Sequence, residues 1–517
     1  MSKSSYRRGT GYLTGGIMRV LTGACAAIAA LAACTTGSTP GNATPPSTTS
    51  SSTAGTGSST PGSSTPGSAG AGSGASAYPT AAWPTYDQNV ERTGVAVGVR
   101  PLGKLSVAWR ETLDGSVYGQ PLLIDGLVVV ATENDTVYAL DNATGAVAWR
   151  AHVGTPVPQA ALHGCGDIFP LGITGTPAYD QADGLIYAVA ETTGYRFVLF
   201  GLSATTGATR FERVIPTPDG QDAWDQQRPA LTITGGRVYV MFGGLAGDCG
   251  PYKGSIVGVP ASGSGPITAY VTPTPREGAF WGPGGTVIGP ASPTNQTPTL
   301  YGANGNGAAE QGDSYDYSDS VTHLTLGLRR IGFFAPSTWA LDNSTDLDLG
   351  STQPTLASGG SVFAVGKRGV GYLLRLGSLG SIGGQVAQAS ICQAYGTAAV
   401  SGATIYEPCT DTGLTAVAVS AATRQIKVLW RGPSAAHGSA AIGGGAIWVP
   451  DSHDGILYAL SPATGAVLGS VSLGATMPRF SSVSLGGTRA YLGTSRGVIA
   501  VAGALCNQWD DLNGDRY

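Results

Sequence analysis

The sequence is poor in charged residues. Only 12% of its 517 residues are Asp, Glu, Lys or Arg, against roughly 25% in typical soluble domains. The formal net charge is −4, and the body of the chain has no cluster of lysine and arginine. Nucleic-acid partners require a basic surface, so this composition argues against them. No apolar run reaches the roughly 18 residues that a membrane-spanning helix needs, and we predict no such helix.

Motifs for catalysis and metal binding are also scarce. No Gly-x-Ser-x-Gly, phosphate-binding loop or dinucleotide fingerprint occurs in a suitable context. We interpret Asp451-Ser452-His453-Asp454 as an exposed turn. Asp511, Asn513 and Asp515 have the first half of a calcium-loop spacing but no carboxylate at its twelfth position, so we interpret them as a polar tail. No metal-ligand spacing connects the five histidines, His152, His163, His323, His437 and His453.

The N-terminus has the pattern of an export signal. Basic residues precede a short apolar stretch at 21–33, so we predict a signal peptide at 1–33. Leu-Ala-Ala-Cys at 31–34 resembles the bacterial lipobox, which implies lipidation of Cys34 and an anchor on the outer face of the cell membrane. The alternative is an ordinary signal peptide with an incidental cysteine. Translation starts at either Met1 or Met18.

Two further segments are too polar to fold alone. Residues 34–82 are mostly Ser, Thr, Gly, Pro and Ala, which cannot bury enough apolar surface, so we predict a flexible linker. Residues 504–517 form the polar C-terminal tail. The folded body is therefore expected at 83–503.

The body is rich in glycine and contains a repeated unit. Residues 136–150 read TVYALDNATGAVAWR, which is a strand pattern, a turn of Asx, Thr and Gly, and a second strand with a tryptophan. Degenerate copies occur at 202–211, 419–430 and 457–469. A repeated strand–turn–strand unit predicts a radial or stacked β array.

The spacing of these units predicts eight blades. Each unit has roughly 50 residues, which suits four strands and their loops. The last unit lacks its outer strand, and an orphan strand at 105–113 can supply it. The predicted fold is an all-β, eight-bladed β-propeller of four-stranded blades, closed by this N-terminal strand. The eight units are 116–154, 172–215, 228–273, 278–336, 346–386, 394–432, 437–474 and 479–503.

The Leu-Asp-x-x-Thr-Gly-x-x-x-Trp turn identifies a family. Its repetition at blade spacing resembles the tryptophan-docking motif of the pyrroloquinoline-quinone (PQQ) dehydrogenase type of eight-bladed propeller. The resemblance covers roughly residues 83–503 and is specific for the fold. In that family, PQQ stacks between a tryptophan and a vicinal disulfide, a calcium ion polarises its carbonyl, and an aspartate acts as base. Other propellers of this type bind no quinone and act as scaffolds.

Several segments resemble those that carry the family's quinone and base. Phe280-Trp281-Gly282 resembles the segment with the stacking tryptophan, which implies that Trp281 stacks on the quinone. Residues 346–350 resemble the segment with the catalytic base, which implies that Asp348 is the base. Residues 366–372 resemble the segment whose basic side chain touches the quinone, which implies that Lys367 and Arg368 contact the quinone.

The calcium ligands have less complete counterparts. YGANGNG at 301–307 resembles the segment with the calcium-binding asparagine, which implies Asn306, and Asp348 completes the set. Residues 244–254 resemble the calcium-glutamate loop, but Asp248 stands where glutamate is expected. Aspartate is one methylene shorter and falls short of a metal at about 2.3–2.6 Å unless the loop moves.

The cysteines depart from the family pattern. No Cys-Cys pair occurs, and Cys165-Gly166 takes its place. Five cysteines in or after the body allow many pairings. We expect Cys392–Cys409 because a strand–turn–strand separates them in one blade, and Cys165–Cys249 because both lie in glycine-rich loops near the axis. Cys506 would then be the free thiol.

These features lead to one preferred function and two alternatives. We expect an exported, lipid-anchored binding or scaffold module that contacts an envelope protein or a small ligand. The first alternative is a dehydrogenase that oxidises an alcohol or sugar with PQQ and Ca²⁺, with Asp348 as catalytic base. The second is a hydrolase or lyase that uses the carboxylates over the axis.

Overall fold

The computed structural model describes residues 81–291 and 296–505. Cys34, Cys506, the predicted signal peptide and nearly all of the predicted linker and C-terminal tail lie outside these residues. The described chain is almost entirely β, with one α-helix at Trp339–Ser344 and short 3-10 turns at Gln159–Ala161 and Leu349–Ser351. None of its helices has the length and apolar character needed to cross a membrane.

The first four blades are antiparallel sheets whose strands follow one another in sequence. Blade 1 contains Leu122–Ile124, Leu127–Thr132, Thr136–Asp141 and Val147–His152. Blade 2 contains Ala178–Asp180, Leu185–Thr192, Arg196–Ser203 and Thr209–Val214. Blade 3 contains Thr232–Thr234, Arg237–Gly244, Ser255–Pro260 and Thr268–Val271. Blade 4 contains Val287–Gly289, Thr299–Ala303, Val321–Thr325 and Arg330–Ala335.

The next three blades repeat this plan, and the eighth combines both ends of the chain. Blade 5 contains Thr355–Ala357, Ser361–Ala364, Val370–Arg375 and Ala387–Ser390. Blade 6 contains Ala399–Ser401, Thr404–Glu407, Thr415–Ser420 and Gln425–Arg431. Blade 7 contains Ala441–Gly443, Ala446–Asp451, Ile456–Leu460 and Val467–Ser472. Blade 8 contains Val483–Gly486, Arg489–Thr494, Gly497–Leu505 and Leu102–Thr112.

The closing strand confirms the predicted ring. Leu102–Thr112 pairs antiparallel with Gly497–Leu505 along nearly its whole length. The first strands of neighbouring blades contact one another, which places them at the axis. The eight-bladed propeller inferred from the repeats is therefore confirmed. Short extra strands at Ala81–Trp83, Asp225–Gln226 and Ser381–Ile382 extend blades 1, 3 and 4.

One predicted unit ends in the wrong place. We expected blade 5 to end at residue 386, but its outer strand is Ala387–Ser390. The connection after Arg375 is long because its Ser381–Ile382 segment pairs in parallel with the outer strand of blade 4. The repeat pattern therefore breaks where a segment of blade 5 joins the sheet of the preceding blade.

Tryptophans join successive blades. Trp109, Trp149 and Trp430 each extend from an outer strand and donate an indole N–H to a turn carbonyl of the following blade, at 3.1, 3.0 and 2.9 Å. Each indole covers a glycine of that turn, and a Cβ on the glycine would lie 2.4–2.7 Å from ring carbons. The Thr-Gly turn is thus a receptor for the preceding tryptophan. These receptor glycines are Gly145, Gly207 and Gly465.

The chain before the closing strand crosses the axial region. Arg92 is 2% exposed and donates to the Leu231 carbonyl of blade 3 at 3.0 Å. The Tyr86 hydroxyl lies 3.0 Å from that of Thr397, before blade 6, and the Gly94 carbonyl accepts the N–H of Ile442 in blade 7. The segment 83–96 therefore connects blades that are not neighbours in the ring.

Gly207→Ala tests the docking contact. Gly207 has φ +70°, and its added Cβ would lie 2.4 Å from the Trp149 ring. Backbone strain of about 1–2 kcal/mol and overpacking of about 1–3 kcal/mol should both lower the free energy of unfolding, measured by denaturant titration. Gly184→Ala is the matched control because Gly184 has φ +63° but no atom within 4 Å of its added Cβ. Equal losses in the two variants would contradict the docking role.

Candidate functional site

A cavity of about 360 Å³ is lined by loops from several blades. Its wall includes loops of blades 3, 4 and 5 and the connections between blades 1 and 2 and between blades 7 and 8. Because these blades surround the axis, the cavity lies over the axial channel. The structure brings together five predicted site residues here, namely Asp248, Trp281, Asn306, Asp348 and Lys367.

Asp348 is at the centre of the site. Its side chain is 4% exposed, and it precedes the 3-10 turn at Leu349–Ser351. Oδ1 accepts the backbone N–H of Asn306 at 2.8 Å. Oδ2 accepts the indole N–H of Trp281 at 3.1 Å and lies 2.8 Å from Nζ of Lys367. Both carboxylate oxygens are therefore bound by groups of the chain itself.

Lys367 neutralises this part of the cavity. Its Nζ also lies 2.7 Å from Oδ1 of Asp346, so one ammonium serves two carboxylates. Burial raises the pKa of Asp348, and Lys367 opposes that rise. Burial would lower the pKa of Lys367, but the ion pairs with Asp348 and Asp346 outweigh it and raise the pKa. Lys367 is therefore a cation rather than a neutral nucleophile.

Trp281 belongs to an aromatic group at the cavity wall. Its ring centroid lies 6.0 Å from that of Phe480 and 6.3 Å from that of Tyr395. Nζ of Lys367 lies over the indole at 5.3 Å. Trp281 thus packs against residues of its own chain as well as lining the cavity.

The other predicted calcium ligands have protein partners too. Oδ1 of Asp248 accepts the Tyr252 hydroxyl at 2.6 Å. Nδ2 of Asn306 donates to Oε2 of Glu277 at 3.4 Å, and Arg276 pairs with the other oxygen of that glutamate. Glu277 is 8% exposed and was missed in the sequence because it belongs to no segment that resembles the family.

Arg368 does not join the site. Its guanidinium pairs with Asp342, which lies in the helix Trp339–Ser344 and is 2% exposed. Lys367 and Arg368 are adjacent in one turn, and only Lys367 lines the cavity. The resemblance therefore located the basic segment correctly, but its assignment of Arg368 to the cavity is wrong.

Several lining residues were not anticipated from the sequence, among them Asp167, Arg228, Arg479 and Phe480. Arg228 is 11% exposed at its side chain, lies over the Phe480 ring at 5.1 Å and approaches Asp167 at 3.9 Å. Arg479 approaches the same carboxylate oxygen at 3.9 Å. None of these residues lies in a recognisable motif, so only the folded loops bring them to the cavity. His453, in contrast, is 87% exposed and lies in a turn of blade 7, as expected.

Two disulfides have the pairings that we expected. Cys165–Cys249 has a Cα–Cα distance of 6.4 Å, and Cys392–Cys409 has one of 5.6 Å. The first joins two loops that also carry the lining residues Asp167 and Asp248. It therefore connects the two loops of the cavity wall, whereas the family's disulfide joins consecutive residues.

The residues present do not fit a quinone with its calcium ion. The Asp348 oxygens already accept two N–H groups and an ammonium. An ammonium within 3 Å of a proposed calcium ligand also opposes a divalent cation by charge repulsion.

Lys367→Met tests the importance of the ion pair. Loss of the ammonium leaves Asp348 buried without a counter-charge, and breaking such a pair typically costs about 3–5 kcal/mol. The pKa of Asp348, already raised by burial, rises further without Lys367. The folded variant then retains a proton that the unfolded chain releases, so its loss of stability should grow as pH rises from about 4 to 8.

The double variant Lys367→Met/Asp348→Asn is the control. It removes both charges and should recover most of the stability lost at pH 8, as measured by denaturant unfolding. A loss below about 1 kcal/mol in Lys367→Met at pH 8, typical of exposed pairs, would contradict a buried ion pair.

Comparisons with known sequences identify one local relationship. The family model described as outer membrane protein assembly factor BamB matches residues 104–247. BamB of Yersinia pestis is 30% identical over 108 residues, and BamB of Moranella endobia (strain PCIT) is 28% identical over 109 residues. Each alignment covers 21% of this chain but only 26% and 27% of those relatives.

Solved structures match far more of the chain. Quinohemoprotein alcohol dehydrogenase from Comamonas testosteroni has a TM-score of 0.62 at 15% identity, with 84% of this chain and 83% of that chain covered. A europium-containing methanol dehydrogenase has a TM-score of 0.63 at 13% identity, with 82% of this chain and 98% of that chain covered. BamB from Moraxella catarrhalis has a TM-score of 0.51 at 14% identity, with 77% of this chain and 98% of that chain covered. The chain is an eight-bladed β-propeller with the PQQ-dehydrogenase-like fold.

Proposed function

We propose that this propeller is a binding or scaffold module of the cell envelope rather than a quinoprotein dehydrogenase. The observation that carries this proposal is the environment of Asp348. In the quinoprotein mechanism this residue must be free to act as a base, yet both its oxygens are engaged by the chain. The ammonium and the two N–H groups occupy lone pairs with which Asp348 would otherwise take a proton from a substrate.

The cavity wall supports the same conclusion. The indole of Trp281 packs beside Lys367, Tyr395 and Phe480, so these side chains compete with a quinone for space around it. The Cys165–Cys249 bridge replaces the vicinal disulfide that would form the opposite wall. The cavity therefore suits a small polar ligand, or serves as a rigid centre for loops that contact a partner protein.

A PQQ- and calcium-dependent dehydrogenase is the second candidate. One observation favours it, namely the convergence of Trp281, Asn306 and Asp348 on one cavity, with Lys367 beside them. The resemblance assigns these residues to the quinone, the metal and the base. For this function, calcium would have to displace the Lys367 ammonium from Asp348.

Cofactor reconstitution distinguishes the two candidates. Purified protein incubated with PQQ and Ca²⁺ should show no bound quinone absorbance after desalting and no dye reduction with alcohols or sugars. The expected reason is that the Lys367 ammonium already pairs with Asp348, where the calcium ion would have to bind. Lys367→Ala, treated identically, tests whether the ammonium alone blocks the site. Stoichiometric quinone with dye reduction in the wild-type protein would establish the dehydrogenase instead.

The proposed envelope location rests on two independent features. The matched relatives are named outer membrane protein assembly factors, and the N-terminal sequence resembles a lipoprotein signal. We propose that Cys34 carries the lipid, that the linker holds the propeller away from the membrane, and that its partner is an envelope protein.

Cys34→Ser tests the anchor. Without the thiol that receives the lipid, the protein should appear in the medium or accumulate as an unprocessed precursor, as judged by fractionation and mass spectrometry of the N-terminus. Cys392→Ser is a control that removes a cysteine of the folded body. Unchanged membrane association and normal processing of the Cys34→Ser protein would refute lipidation at this residue.

A further inference from the structure

The connection between blades 2 and 3 contains three aspartates. Asp219, Asp222 and Asp225 occur at intervals of three residues in the sequence PDGQDAWDQ. The connection packs against the loop of the Cys165–Cys249 bridge, because a Cβ on Gly250 would lie 2.3 Å from the Trp224 ring. These carboxylates belong to no segment assigned above to the axial cavity, although Gln226 next to them lines it.

Two of the aspartates are held by hydrogen bonds. Oδ1 and Oδ2 of Asp219 accept the backbone N–H groups of Gln221 at 3.1 Å and Lys253 at 2.6 Å. Oδ1 of Asp222 accepts both the N–H of Thr217 at 2.8 Å and its hydroxyl at 2.5 Å. The Thr217 hydroxyl thus donates its hydrogen bond to Asp222, which leaves the lone pairs of Oγ1 free to bind a donor or a cation.

Asp225 has no such support. It is 1% exposed, and neither of its carboxylate oxygens has a hydrogen-bond partner among the described residues. Burial and, after it, the charge of the neighbouring Asp219 raise the pKa of Asp225 to about 9, and the neighbouring Thr217 side chain opposes this rise. No ion pair between described residues includes any of the three aspartates.

A buried carboxyl group without a partner either keeps its proton or binds a cation. Buried charges in proteins are paired or coordinate a metal, because transfer of an isolated ion from water is very costly. Lys253 is near Asp219 through its backbone N–H, but its ammonium forms no ion pair among the described residues, whereas the connection supplies carboxylate oxygens and a hydroxyl oxygen. Oxygen donors of this kind suit a hard divalent cation and do not suit zinc, which prefers nitrogen and sulfur.

We propose that Asp219, Asp225 and the Thr217 hydroxyl bind one calcium-like divalent cation, with Asp222 as the residue that positions Thr217. The two carboxylates balance the charge of the ion, and water completes its coordination. Each Asp219 oxygen keeps a lone pair after accepting its N–H group, so the existing hydrogen bonds need not break. Only two carboxylates are required, which agrees with the absence of a three-carboxylate metal group in the described chain.

Such an ion would stabilise part of the cavity wall. The connection from Thr217 to Asp225 leads directly into Gln226, a lining residue, and Lys253 follows the loop that carries Asp248. One cation bound to Asp219 and Asp225 would fix both ends of this connection against blade 3. This site is separate from the axial calcium of a quinoprotein and requires no quinone.

Terbium luminescence provides a direct test. Tb³⁺ replaces calcium at oxygen sites, and its emission is excited through a nearby indole, here that of Trp224. Wild-type protein should bind one Tb³⁺, release it to excess Ca²⁺, and melt at a higher temperature with Ca²⁺ than with a chelator. Asp225→Asn should bind Tb³⁺ at least tenfold more weakly and lose the calcium-dependent rise in Tm.

Two further variants complete the experiment. Asp348→Asn alters the axial cavity and should leave both terbium emission and the calcium-dependent Tm unchanged, which separates this site from any quinone site. Asp219→Asn lies nearer the surface and should reproduce the loss of binding, so it decides the outcome if Asp225→Asn does not fold. Unchanged terbium binding in a folded Asp225→Asn or Asp219→Asn protein would overturn the proposal, as would wild-type protein that binds no Tb³⁺.

Discussion

Three of the eight junctions between blades depend on the contact between a tryptophan of one blade and the glycine turn of the next. The indole N–H donates to a turn carbonyl, and the ring covers a glycine that has no side chain. This contact fixes both the angle and the distance between neighbouring sheets. Phe211 makes the same apolar contact with Gly263 but has no N–H to donate, and Arg213 and Tyr187 of blade 2 donate the hydrogen bonds to that turn instead.

The loops over the axis depend on this scaffold. Asp348, Trp281 and Asn306 lie in three separate segments, and they meet because the blades bring their connecting loops to one end of the channel. Once they meet, local chemistry decides what they do. Lys367 forms ion pairs with two carboxylates, so part of the negative charge that could attract a metal is already compensated within the chain.

The fold could be predicted because its signal is repeated, whereas the site is built from single residues. Several copies of the turn motif supported one another. In addition, an N-terminal strand without a sheet matched a C-terminal sheet without an outer strand. Lys367 and Arg368 carry the same charge side by side, and only the backbone of their turn decides which faces the cavity. Glu277 and Arg228 reach their positions through loops whose paths no local pattern encodes. Blade 5 was bounded incorrectly because the Ser381–Ile382 pairing involves a different blade.

The closing strand also has a consequence for biosynthesis. Leu102–Thr112 is made before any complete blade, yet its partner Gly497–Leu505 is the last described strand to leave the ribosome. Until synthesis reaches that strand, the first long strand has an unpaired edge, which is the kind of surface that recruits other chains. Pairing between such distant segments also slows folding. The growing chain must therefore keep this edge from other partners until translation is complete.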